Sequence, residues 1–148
     1  MTDGIQNPLA SNPFALTALT EPSAQLTARL QARQTNRTGL KLTEAQSIML
    51  ADANRLSLQA AGRIEFGMSA VERLNEAFCD SPYLTAETYA DTLAELTALF
   101  YGFKNDARDA VSDEQLVGWM KRMFDGPCAG SAELLADAFA EKLAEARR

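Results

Sequence analysis

The run Asp125-Gly126-Pro127-Cys128-Ala129-Gly130-Ser131 holds the residue types best suited to chemistry. A cysteine just ahead of a helix start can be held as the thiolate, because the helix dipole and its free amides favour negative charge. The same amides can cradle a phosphate or carboxylate. Gly126, Cys128, Ala129, Gly130 and Ser131 are therefore the expected anion- or ligand-binding residues, with Glu65 or Asp125 assisting. A plainer reading is favoured: Pro127 and the glycines shape a turn, Ser131 caps a helix, and Cys128 fills a small apolar gap.

The chain contains no histidine. That removes the commonest general base and metal ligand, and no cysteine–histidine pair can form within one chain. Cys79 and Cys128 lack the CxxC spacing of a zinc or redox site, and two thiolates do not complete tetrahedral zinc. No catalytic residue, metal ligand or cofactor is expected. Cys79, in Phe78-Cys79-Asp80-Ser81-Pro82-Tyr83, is expected to be packed. Glu65 sits between Ile64 and Phe66; an internal ion pair with Arg63 or Lys104 is favoured over an acid–base role. Glu72 with Glu76, and Glu87 with Asp91, are expected on solvated helix faces. Trp119 and Met123 are four residues apart and partly outside their helix's inward stripe. Together with Phe14 and Leu16 they form the expected interaction surface, for a protein partner or a second copy, with a helix buried on two sides as the equally weighted alternative for Trp119 and Met123.

These residues need elements to hold them. The organising stretch is Thr85 to Ala107, in which Tyr89, Leu93, Leu96, Phe100 and Phe103 recur as one stripe of an α-helix. Ala90, Thr97 and Tyr101 widen the stripe, and Leu99 adds a second flank. Thr85 is its expected cap. Ser23 is the expected start of a helix to Gln34, with Leu26 and Leu30 inward. Thr43 opens a second helix to about Ala61, with Ala45, Ile48, Met49, Ala53, Leu56 and Ala60 inward and Gly62 just past its end. Ser69 with Glu72 is a capping box, opening a helix to about Cys79 with Val71, Leu74 and Phe78 inward. Ser112 with Gln115 is another, for a helix to Phe124 with Leu116, Val117, Met120 and Phe124 inward. Ser131 caps the last, to Arg147, with Leu135, Ala138, Phe139 and Leu143 inward. Arg63-Ile64-Glu65-Phe66-Gly67 reads as a turn or an isolated extended piece.

The fold class is thus all-α: a single compact bundle of about six helices over residues 23–148, preceded by an extended arm over residues 1–22 in which Pro8, Pro13 and Pro22 break regular structure. The 148 residues suit one domain, and 47% apolar with 23% charged residues is ordinary globular composition. A net charge of −6 opposes binding to nucleic-acid backbones. No apolar run approaches a membrane span, and the N-terminus lacks the basic and apolar regions of a secretory signal, so a cytoplasmic protein with reduced thiols is expected.

The pieces RIEFG (Arg63–Gly67), AFCDSPYL (Ala77–Leu84), YADTLAEL (Tyr89–Leu96), FYGFKN (Phe100–Asn105) and FDGPCAGS (Phe124–Ser131) resemble a family of uncharacterised bacterial proteins of similar length. The resemblance covers roughly residues 40 to 148. It implies a bacterial cytoplasmic domain of unknown function and transfers no catalytic residue.

Overall fold

The computed structural model describes residues 21–34 and 40–147. Among these, six helices follow in order: α1 (Glu21–Gln34), α2 (Glu44–Ala60), α3 (Ala70–Phe78), α4 (Tyr89–Asp106), α5 (Asp113–Asp125) and α6 (Ala132–Ala146). The arm expected over residues 1–22 lies outside the described residues as far as residue 20. Residues 21 and 22 open α1 instead, two positions before the expected Ser23 start. A proline is tolerated there because first-turn amides have no helical acceptor.

The starts of most of the helices follow local polar chemistry. The Ser69, Ser112 and Ser131 side chains accept from the amides three residues on. Thr43 forms a full capping box with Gln46. Thr85 misses the start of α4 by one turn. It exchanges hydrogen bonds with Thr88 instead, each backbone N–H donating to the other's hydroxyl at 3.0 and 3.3 Å. At the end of α2, Gly62 has φ +66°, and the amides of Gly62 and Arg63 return to Gln59 and Leu58. This is the six-to-one, five-to-two closure that a left-handed residue permits.

α4 is the middle of the bundle, packing on α2, α3 and α6, while α3 also packs on α5 and α1 on α2. Its stripe is buried as spaced: Tyr89, Leu93, Leu96, Phe100 and Phe103, with Ala90, Thr97 and Tyr101 beside them. The inward residues expected on α1, α3 and α5 are buried too. α2 is the exception. Its buried residues are Ser47, Leu50, Ala51 and Asn54, while Ile48, Met49 and Leu56 face out. The inward polar groups are what turn it: the Ser47 hydroxyl is held by Gln31 and by the Thr43 carbonyl, and Asn54 accepts from the Val71 amide. A buried polar group with its partner in place costs little, so the partner decides the face.

Glu72 corrects a second expectation. It is 1% exposed, not solvated. Arg29 of α1 reaches it with a two-pronged pair at 3.0 and 3.1 Å, and Ser69 donates through its amide and hydroxyl. Burial pushes this carboxyl up, but the Arg29 and Ser69 hydrogen bonds outweigh it and hold the group below its ordinary value.

Candidate functional site

Residues 63–66 leave α2 and enter α3 between two glycines of positive φ, Gly62 at +66° and Gly67 at +83°. Side chains alternate along the segment. Arg63 and Glu65 turn in, while Ile64 and Phe66 stand 82% and 87% exposed. No other large apolar side chain among the described residues is as open.

The inward pair fixes the corner at both ends. Arg63 forms a forked pair with Asp109 and donates to Asn105 Oδ1 at 2.7 Å. Asn105 in turn donates to the Ala61 carbonyl at 2.9 Å. This ties the end of α2 to the end of α4, where Arg108 and Asp109 are both left-handed, at φ 54° and 58°. Two successive non-glycine residues there store strain that the Arg63–Asp109 pair helps to hold.

Glu65 forms no ion pair with Arg63 or Lys104, contrary to expectation. Lys104 is buried, bound to Asp113 at 2.8 Å and to the Val111 carbonyl at 2.7 Å. Glu65 instead accepts from the Tyr101 hydroxyl at 2.7 Å. Asn54 and the Ala70 backbone lie close enough to favour its charged form. The carboxylate thus lies near the start of α3, where the helix dipole favours negative charge. Burial raises its pKa above the ordinary 4.5, against the hydrogen bond from Tyr101. Burial, then the bond to Glu65, drive the Tyr101 hydroxyl far upward, so it stays a donor. A donor that keeps its proton, held at 2.7 Å by a partly buried carboxylate, makes an anchor. Below the segment remains a recess of about 110 Å³, lined by Arg63, Glu65, Tyr101, Lys104 and Asp113 among others.

The loop that sequence analysis singled out lies elsewhere and closes on itself. The amides of Gly126 and Cys128 donate to the Met123 carbonyl, that of Ala129 to Gly126, that of Gly130 to Phe124 and that of Ser131 to Cys128. The Ser131 hydroxyl accepts from the Leu134 amide at 3.1 Å. Gly126, Cys128, Ala129, Gly130 and Ser131 are brought together, but these amides are used internally rather than aimed at a ligand. The Cys128 thiol is 3% exposed, and burial pushes its pKa up, opposite to an activated nucleophile. The turn docks on the α3–α4 connection. Ser81 donates to Asp125 at 2.7 Å, Lys121 bridges Asp80 and Asp125, and Gly130 lies against Tyr83. Cys79 is buried and unbonded to Cys128.

Trp119 and Met123 are half-buried against the core. The indole meets the rings of Phe103 and Phe139 edge-on at 6.4 and 5.7 Å, and Trp119 lines a cleft toward α6. Phe14 and Leu16 lie outside the described residues. Among the described residues no three His, Cys, Asp or Glu side chains are grouped to hold a metal ion, and no helix is long and apolar enough to cross a membrane.

Sequence reasoning passed over Ile64 and Phe66. The signal was present: apolar and charged residues alternate between two glycines, which is the pattern of a short segment with one face in and one face out.

Fold and site together define an all-helical bundle domain with an apolar corner facing solvent. The chain belongs to a family of unknown function, DUF6323, which it matches over residues 29–148, beginning at the arginine that holds Glu72. No curated protein and no solved structure matches it.

Proposed function

We propose that the protein is a noncatalytic interaction module whose recognition element is the corner at Arg63–Gly67, with Ile64 and Phe66 as its two anchors. The observation that carries this reading is their exposure, 82% and 87%, on a corner pinned from beneath by Arg63 and Glu65. Burying an aliphatic or aromatic side chain of this size in a partner's groove is worth about 1.5–3 kcal/mol each. A pre-fixed corner loses little conformational freedom on binding, so more of that gain becomes affinity. The partner is a protein with a paired apolar groove, and a cytoplasmic setting fits two buried cysteines that form no disulfide with each other.

The test is a photo-crosslinking amino acid placed at Phe66, and at exposed Glu133 as control, in cells. A discrete adduct at position 66 and not at position 133, abolished by Ile64→Ser, is expected. Absence of an adduct, or the same adducts from both positions, would sink the reading. An adduct of twice the chain's mass would identify a second copy as the partner.

A further inference from the structure

We propose that the cleft beside Trp119 is a binding site for an amphipathic anion, with an aliphatic or aromatic body inside and a carboxylate or phosphate head at the rim. The cleft encloses about 440 Å³ between the α4–α5 connection, α5 and α6, within the range of about 300–1,000 Å³ typical of small-molecule sites. Leu116, Trp119, Phe139 and Leu143 form apolar walls. Leu116 and Phe139 belong to the buried core, and Phe139 is stacked on Phe103 at 4.0 Å, so the floor is rigid. The cleft is therefore built into the packing, not left between loose side chains.

The rim specifies the head group. Arg108, Lys142 and Arg147 border the cleft, against Asp106 as the one carboxylate among its lining residues. Among the described residues Arg108 and Lys142 form no ion pair, and Arg147 donates only to the Asp106 carbonyl at 3.3 Å. In a chain of net charge −6, unpaired cations gathered around an apolar cleft make a local field opposite to that of the whole molecule. Such a site attracts a negative head while the walls take the body, and it rejects a cationic amphiphile of the same shape. A free fatty or aryl carboxylate and a phosphate monoester share this chemistry. The site is independent of the corner at Ile64 and Phe66.

Trp119 is the chain's single tryptophan, so intrinsic fluorescence of this chain reads the cleft directly. The probes are decanoate, decyl phosphate, decanol and decyltrimethylammonium, each below its micelle-forming concentration. Saturable change with decanoate or decyl phosphate is expected, at least about tenfold tighter than decanol, with none for the cation. Which of the two anions binds tighter separates a carboxylate from a phosphate source. The exposed pair Arg108→Glu with Lys142→Glu should weaken the anion about tenfold and leave decanol unchanged, the loss expected for two partly screened charge contacts. No saturable response to any probe, equal binding of decanol or the cation, or unaltered anion affinity in the charge-reversed variant each overturns the proposal.

Discussion

Two corners of this molecule turn on left-handed residues and direct their side chains in opposite ways. At 63–67 the turn is bracketed by Gly62 and Gly67, the charged side chains point in and the apolar ones point out. At 126–131 it passes through Ala129 and Gly130, the amides close on neighbouring carbonyls, and the apolar Cys128 is buried. The second has the composition usually associated with ligand loops, yet its donors are spent on its own backbone. The first has no such composition, yet it presents the open surface. Glycine marks where a chain must turn sharply; what the turn offers to solvent depends on where its polar groups find partners.

The closed corner should respond most strongly to substitution. In Gly130→Ala the new Cβ would lie 2.5 Å from the Tyr83 Cβ, at a φ of +82° that alanine adopts only under strain. Relief requires moving the α3–α4 connection that Ser81 and Lys121 pin. A loss of about 3 kcal/mol is expected in chemical denaturation, the sum of overpacking and backbone strain. A loss below about 0.5 kcal/mol would mean that the two loops are not tightly docked. In the same corner, native Cys128 should react with a thiol reagent far more slowly than in denaturant, because its thiol is buried and its pKa raised.

At the open corner the vulnerable part lies beneath the surface. Tyr101→Phe removes the hydroxyl at 2.7 Å from Glu65 and leaves a partly buried carboxylate short of a donor. A loss of about 1–2 kcal/mol is expected in denaturant titrations at neutral pH. If stability is unchanged, Glu65 does not depend on Tyr101 and the anchoring account of the corner fails.

Two carboxylates at the start of α3 also separate by pH. Glu72 sits below its ordinary 4.5, so its contribution is full above that value and is lost as pH falls through its lower folded pKa. Glu65 sits above 4.5: the folded state holds its proton more tightly, so stability falls as pH rises from 4.5 through the raised folded value. Glu65→Gln should therefore flatten the stability profile above pH 4.5 and leave the acid limb, to which Glu72 and Asp109 contribute, in place. Flattening of the acid limb instead would show that the two groups are assigned the wrong way round.

The contrast between the corners also explains which features could be read from sequence. The α4 stripe and the caps at Thr43, Ser69, Ser112 and Ser131 depend on residues three or four apart, and they stand where spacing puts them, although Thr85 and Ser23 do not. The fates of Glu65, Glu72 and the face of α2 depend on partners far along the chain. Glu72 is buried because Arg29 arrives from α1, 43 residues away, and Glu65 turns in because Tyr101 arrives from α4, 36 residues away. Asn54 meets Val71 across 17 residues. Helical periodicity contains no information about such pairings. It therefore placed the apolar stripe of α2 inward, where Ser47 and Asn54 stand instead.

The smallest expected effect on stability is also the one that decides whether the open corner is a surface or a structural support. Ile64 and Phe66 face solvent, so Ile64→Ser with Phe66→Ser removes little packing. Stability should stay within about 0.5 kcal/mol of the parent, the usual range for surface changes. Helicity, melting temperature and the Trp119 fluorescence should match the parent. Loss of more than about 2 kcal/mol would instead assign the two side chains to a packed role within the chain, as would be expected if another part of it covers them. The same double variant thus separates a corner that waits for a partner from one that serves its own fold.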